Sequence, residues 1–299
     1  MAIGDRVILE PRIGFIGPGR VGQTLAEAFH RAGLQVVAVY GRQRDPIERL
    51  AERIGGLTVA ETPQQVADLA STVFITVSDD AIDPVCASVA WRNGQAAVHC
   101  SGARELDALQ PAREAGAFVG SFHPLQMFAT PSAALATLPG CTIAIEGDSP
   151  LVGLLDRVAQ LLKCRAIRLP PGRRAMYHAS AYYVGPFLIA LMQEAVEIWR
   201  VLGFNERDAL AALATLLHGT VAAVMEGGLA AGMGGCVARG DVGTVERHVA
   251  ALETLHPATA SLYRELTRRT IPLGLARGTL TADAAARIRT VLEATTPER

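Results

Sequence analysis

The segment Arg12-Ile13-Gly14-Phe15-Ile16 runs directly into Gly17-Pro18-Gly19-Arg20-Val21-Gly22 and then into apolar residues at helical spacing. A strand, a glycine turn and a helix in this order form the arrangement a dinucleotide pyrophosphate needs, because the helix start presents free N–H groups at the positive end of its dipole. Gly17 permits the tight turn, Gly19 lets the backbone approach the phosphates, and Gly22 allows close helix–strand packing. Pro18, Arg20 and Val21 complete the candidate cofactor loop. Ala26, Phe29 and Leu34 continue the helical pattern, Gly33 closes it, and Gln35–Tyr40 reads as the next strand.

The end of that second strand bears on which dinucleotide is held. A site for NAD usually places an acid about 20 residues beyond the glycines, where it accepts from the ribose hydroxyls. This chain has Gly41-Arg42-Gln43-Arg44 instead. Two guanidinium groups beside a small residue can fork around a ribose phosphate, so NADP is expected, with Gly41, Arg42 and Arg44 as candidate contacts. The alternative is a solvated loop in which Asp45 partners one of the arginines.

A chain of 299 residues, half of them hydrophobic, is long enough for two domains with separate cores. A formal net charge of −1, with no basic tail or single-sign run, argues against nucleic acid and anionic membranes as partners and favours small-molecule chemistry. Cys86, Cys100, Cys141, Cys164 and Cys236 are odd in number and widely spaced, which suggests neither a disulfide framework nor a zinc site and fits a reducing cytoplasm. His30, His218, His248 and His256 lack metal-ligand spacing, so no metal is expected. Met1 to Pro11 lacks an apolar leader core, and no membrane span is expected.

From Arg12 to about Pro171, strand-like runs alternate with amphipathic helical ones, the pattern of a doubly wound, mostly parallel α/β sheet. The strands are expected at Leu57–Ala60, Thr72–Val77, Ala96–Cys100, Ala117–Gly120, Cys141–Glu146 and Ala166–Leu169, besides the first two. Pro170-Pro171-Gly172 breaks both periodicities, which predicts a sheet domain over 1–170 and an all-helical domain over 171–299. The latter opens with a long apolar helix over Ala175–Leu202, kinked at Gly185-Pro186, that is expected to support a homodimer. Asp241 and Thr281 are expected helix caps. Gly232–Gly240 reads either as a mobile lid or as a turn capped by Asp241.

Val77-Ser78-Asp79-Asp80-Ala81-Ile82, His99-Cys100-Ser101-Gly102-Ala103, His123-Pro124-Leu125-Gln126, Tyr177-His178-Ala179 and Ala238-Arg239-Gly240-Asp241 occur in this order across the chain. Together they resemble the Rossmann-like, DUF2520-containing oxidoreductases, within the 6-phosphogluconate dehydrogenase-like superfamily that also includes ketopantoate reductase, 3-hydroxyacid dehydrogenase and pyrroline-5-carboxylate reductase. The resemblance implies an NADP-linked Rossmann reductase with a helical C-terminal domain. It also implies that the Ser101-Gly102 loop lines a substrate carboxylate, and that the first helix after the boundary carries the catalytic face. The chain departs from the better-known members there, with neither lysine nor asparagine between Arg173 and Phe187.

The residues themselves supply substitutes. Val77 and Ser78 follow a strand at the carboxyl edge of the sheet, where small residues let a nicotinamide ribose come close; Asp79 and Asp80 read equally as first-turn acids of the next helix. Ser101 and Gly102 offer a hydroxyl and backbone donors, or an ordinary strand–helix turn. His123 and Gln126 flank a proline in what reads as a rigid loop aiming two polar side chains, or else His123 satisfies a buried carbonyl. Arg174, His178 and Tyr182 share a helix face at i, i+4 and i+8. His178 is the candidate proton donor, Tyr182 its partner, Arg174 a carboxylate contact, with a plain interface face as the alternative.

The resulting expectation is an NADPH-dependent reductase of a small carboxylated carbonyl compound, its site in an interdomain cleft. Imine reduction of the pyrroline-5-carboxylate reductase type and a non-catalytic NADP(H)-binding sensor are the alternatives.

Overall fold

The computed structural model describes residues 11–294. The expectation about an N-terminal leader falls on 1–10, outside the described residues. The elements follow the alternation read from the sequence: β1 Arg12–Ile16, α1 Arg20–Arg31, β2 Gln35–Tyr40, α2 Arg44–Ile54, β3 Thr58–Val59, α3 Pro63–Leu69 and β4 Thr72–Ile75. Next come α4 Ile82–Ala87, β5 Ala96–His99, α5 Gln110–Glu114, β6 Phe118–Leu125, α6 Pro131–Thr137, β7 Thr142–Gly147, α7 Ser149–Leu161 and β8 Arg165–Arg168. Short α5 and α6 carry too few apolar repeats to stand out in the sequence.

One eight-stranded sheet results, in the order β3-β2-β1-β4-β5-β6-β7-β8. Every pairing is parallel except β6 with β7. Strand alternation sends Phe15 and Phe74 to one face, where they meet Phe29 of α1 and Phe122 of β6 with ring centroids 5.1–6.0 Å apart. Ile16, Val73 and Ile75 fill the opposite face with Val66, Ile82 and Trp91. Both faces are therefore apolar, as a sheet covered by helices on two sides requires.

His123-Pro124-Leu125 is not the loop expected from its proline. It is the end of β6, in antiparallel register with Ile143 and its neighbours on β7. Strand β5 pairs only with Phe118–Ser121, so β6 has a free edge beyond Ser121, where a strand proline is tolerated. His123 thus lies just past the carboxyl end of β5.

The chain separates into two compact units, 1–186 and 187–299. The division falls beyond the Pro170-Pro171 break because α8, Arg174–Val184, is anchored to the sheet through Arg174. The helical unit comprises α9 Pro186–Val201, α10 Glu206–Gly232, α11 Gly235–Ala238, α12 Val242–Leu255, α13 Pro257–Arg277 and α14 Ala282–Glu293. Gly185 sits at the expected kink between α8 and α9, and Asp241 and Thr281 cap α12 and α14 by accepting from Thr244 and Ala284 N–H. The 232–240 segment holds α11, with the Gly240 turn leading into capped α12. Val245, Ile271, Ala285 and Ile288 form the core of this unit. Among the described residues, α10 is the one helix long and apolar enough to cross a membrane by length and composition alone, which does not make it a span.

Candidate active site

Two cavities open at the carboxyl ends of β1, β2, β4 and β5. The larger, about 890 Å³, is lined by Gly17, Pro18, Gly19 and Arg20 of the glycine turn, by Tyr40–Gln43 after β2, and by Thr76–Ser78 after β4. Gly17 has φ +81°, and a Cβ there would lie 2.2 Å from Val77 Cγ1, so both backbone and space demand glycine. Gly22 is not among the lining residues and lets Thr76 approach; Thr76 Oγ1 donates to the Gly17 carbonyl at 2.8 Å and fixes the turn. A side chain on Gly19 would meet nothing within 4 Å, so the backbone at the start of α1 faces open space. Such a helix start, in a cavity of this size, fits the pyrophosphate of a dinucleotide.

The two arginines after β2 part company. Arg42 is exposed and lines the cavity. Arg44 does not: it enters the first turn of α2 and donates twice to the Glu61 carboxylate, at 2.8 and 2.6 Å. Glu61, rather than the Asp45 considered from the sequence, is its partner.

The smaller cavity, about 300 Å³, shares Thr76 and Val77 with the larger one. Val21, Ser101, Gly102, His123, Gln126 and His178 are among its lining residues. The ideal Cβ position of Gly102 is 2.3 Å from His178 Nδ1 and 2.8 Å from His123 Nε2, so both rings pack on Gly102 and leave it no room for a side chain. On the other side of its ring, His123 Nδ1 is 2.9 Å from the Tyr177 hydroxyl. The rings of His123 and His178 stand edge to face with centroids 5.6 Å apart.

Burial, with the charges of Arg174 and His178 adding to it, pushes the His123 imidazole down to about 3. Burial and Arg174 likewise hold His99, one strand away on β5, at about 3. The Tyr177 phenol is pushed up to about 12 by burial, against the opposing pull of Arg174. Near neutral pH the His123–Tyr177 pair is therefore uncharged.

Several expected roles change. Arg174 is fully buried and lines neither cavity. Its Nη1 donates to Ser121 Oγ at 2.6 Å, its Nη2 donates to the Ser101 carbonyl, and Glu146 Oε2 lies 3.6 Å away. It is thus not available to a substrate carboxylate. Ser101 Oγ accepts from the N–H groups of Ala103 and Arg104, so it closes its own turn. Gln126 lines the cavity while its amide donates to the Ala134 carbonyl and accepts from Thr137, tying β6 to α6. Tyr182 stacks edge-on against His178 but is 44% exposed and does not line the cavity. Tyr177 was missed among the candidate site residues. It lies three residues after Arg174 and one before His178, and the i, i+3 spacing carried the signal.

Residues 6–124 match the Rossmann-like domain family, and residues 141–270 match the domain of unknown function DUF2520. The chain carries a Rossmann-like domain followed by a DUF2520 domain. The DUF2520 match begins at the start of β7, so it takes in the last two strands and α8 as well as helices of the second unit. No curated protein sequence matches the chain.

Among solved structures, a Bacteroides fragilis protein described as an NADP oxidoreductase aligns with TM-score 0.69 at 20% identity, over 91% of this chain and all of its own. A reductive aminase from Aspergillus terreus, in complex with a reduced-cofactor species, cyclohexanone and allyl amine, aligns with TM-score 0.59 at 17% identity, over 95% of this chain and 93% of its own. A pyrroline-5-carboxylate reductase from Coxiella burnetii aligns with TM-score 0.58 at 16% identity, over 94% and 98%. At these identities the likeness establishes a shared fold.

Proposed function

We propose that this Rossmann-like, DUF2520-containing protein is an NADP(H)-dependent reductase of a small carbonyl compound, with the histidine cavity as its reaction site. The observation that carries this reading is that His123 and His178 together line a cavity that adjoins the dinucleotide-sized one at Thr76 and Val77. The free helix start of α1 holds the pyrophosphate, and Arg42 meets the ribose phosphate. Arg44, already paired with Glu61, contributes little. The bound cofactor supplies the hydride.

The protein's part is to orient the reacting group and deliver a proton. With the Tyr177 hydroxyl donating to His123 Nδ1, the ring carries its proton on Nε2, on the far side of the ring from Tyr177. As negative charge develops on the substrate oxygen, Nε2–H transfers its proton to it while Nδ1 takes the proton of Tyr177. His123 ends neutral, and the phenolate recovers a proton from solvent. The His178 ring lines the same cavity beside it. The carboxylated substrates expected from the sequence lose their foremost contact with the burial of Arg174, so an uncharged carbonyl compound suits the cavity better.

Imine reduction is a second reading, favoured by one observation: His123 held unprotonated presents no charge against an iminium. The reductive aminase and pyrroline-5-carboxylate reductase named above share the fold. A screen of small ketones, 2-oxo acids and cyclic imines, read by loss of NADPH absorbance beside a binding titration, tests both readings. Turnover of uncharged ketones is expected. NADPH binding with no turnover of any class would support a sensor instead.

The second unit is proposed to form a homodimer. Ile189, Val201 and Leu202 around α9, and Leu216, Met225 and Leu229 along α10, are 59–81% exposed, more apolar surface than an isolated unit of this size ordinarily leaves to water. Light scattering showing a concentration-independent monomer would overturn this.

A further inference from the structure

Arg174 is among the most buried side chains of the first unit, although guanidinium is the least easily neutralised group a protein has. Burial on this scale needs compensation, and three elements supply it. The Ser101 carbonyl after β5 and Ser121 Oγ of β6 accept from the fork, and the Glu146 carboxylate of β7 lies 3.6 Å from it. Glu105 accepts from the backbone N–H groups of Gly172 and Arg174, at 3.2 and 3.1 Å, and so holds the entry to α8. Burial pushes both the Arg174 and the Glu146 side chains toward neutrality, and their mutual attraction opposes it. The dyad Tyr177–His123 and the ring of His178 lie immediately above this layer, three and four residues along the helix.

We propose that Arg174 is a positioning residue that sets the geometry and the charge of the histidine cavity from beneath it. This rests on the reading of that cavity as the reduction site. The fork joins the first turn of α8 to the ends of β5 and β6, and the i, i+3 and i, i+4 spacing then delivers Tyr177 to His123 and His178 to Gly102. The charge acts on the same groups: it disfavours protonation of His123 and His99 and favours the phenolate of Tyr177 that proton delivery leaves behind. The titratable groups around these imidazoles are Tyr177 and His178 from α8, Cys100, Arg104 and Glu105 from the turn after β5, and Glu146 from β7. Of these, Glu146 and Glu105 carry the opposite charge and favour the charged form of Arg174.

Histidine ring NMR, followed through an acid titration of the unliganded protein, tests this without any substrate, so its outcome is independent of whether the reduction reading survives. In the native chain the His123 ring should stay neutral to about pH 4. In Arg174→Met and Arg174→Gln, which remove the charge, its titration should move up by about one pH unit or more. Arg174→Lys should keep the low titration, since the charge remains, yet on an identified substrate it should lose turnover about 10-fold or more while NADPH affinity holds, because ammonium cannot reproduce the fork. A His123 titration that is the same in all these variants overturns the proposal, because a merely structural role predicts lost stability with unchanged titration. If the neutral variants do not fold, Glu146→Gln carries the test. It leaves Arg174 in place and unopposed, so His123 should remain neutral to lower pH than in the native chain, and an upward movement overturns the proposal.

Discussion

The two adjoining cavities are built on opposite plans. The larger is made of backbone and small side chains at the ends of β1, β2 and β4, and its recognition elements are a glycine turn, a helix start and the exposed Arg20 and Arg42. The smaller is made of side chains that meet from β6, α8 and the turn after β5, and it stands on a buried layer of Arg174, Glu146 and two serines. Peptide dipoles hold a phosphate with no protonation state to manage. Paired imidazoles and a phenol act only in the right tautomer and charge, and so need a support that fixes both. Substitutions in the two places should therefore fail differently.

The largest effect expected falls on the smaller cavity alone. Tyr177→Phe and His123→Ala should each lower turnover of an identified substrate about 10²–10⁴-fold, leaving NADPH affinity nearly unchanged. Because the two act in one relay, the double variant should be little worse than either single one. Losses that multiply would break the relay, and unchanged turnover in Tyr177→Phe would remove Tyr177 from the reaction.

The same contrast explains what was legible from the sequence. Gly17, Gly19 and Gly22 announce themselves because a backbone site is contiguous: strand, turn and helix succeed one another along the chain, and β1 and β2 fall on the bounds read for them. The histidine cavity is assembled from Gly102, His123 and His178, which are 21 and 55 positions apart along the chain. His123, Gly102 and His178 were each recognisable as candidates, but nothing in one-dimensional spacing says that they converge. Arg174 illustrates the limit most plainly, since a charged residue on a helical stripe reads as a surface or substrate contact until its burial is known. The reading of His123-Pro124 as a loop failed for a related reason: proline excludes a central strand position, and only the pairing pattern reveals a free edge inside a continuous strand. Arg44 was misplaced because its partner, Glu61, lies beyond β3.

The larger cavity should respond at one arginine and not at the other. Arg42→Ala should weaken NADPH binding by about 1.5–3 kcal/mol, the range of a charge-assisted contact, and leave NADH almost unaffected. Arg44→Ala should change the NADPH-to-NADH ratio far less, because its exposed pair with Glu61 is screened by solvent and it stands off the cavity lining. Calorimetric titration with both cofactors decides this, and equal losses from the two substitutions would restore the paired-arginine fork.

The smallest effect concerns stability, and it again belongs to the histidine side. His123 and His99 both titrate at about 3 in the folded protein, below the ordinary value near 6.5, so between those values the unfolded chain binds protons that the folded one refuses. The stability tied to these rings is fully present above about pH 6.5 and is lost as the pH falls toward 3. Well inside this window each ring contributes a slope of about 1.4 kcal/mol per pH unit. At pH 5.5, one unit below the unfolded value, each has cost the fold about 1.4 kcal/mol relative to neutral pH. Replacing His123 by Asn, which does not titrate, should therefore make denaturation less sensitive to acid by about that amount between pH 7.5 and 5.5, whatever the substitution does to stability at neutral pH. Urea titrations of the two proteins at both pH values measure the difference directly. Identical acid dependence would mean that His123 is free to take up its proton in the folded state, and the smaller cavity would then be no more guarded in its charge than the larger one.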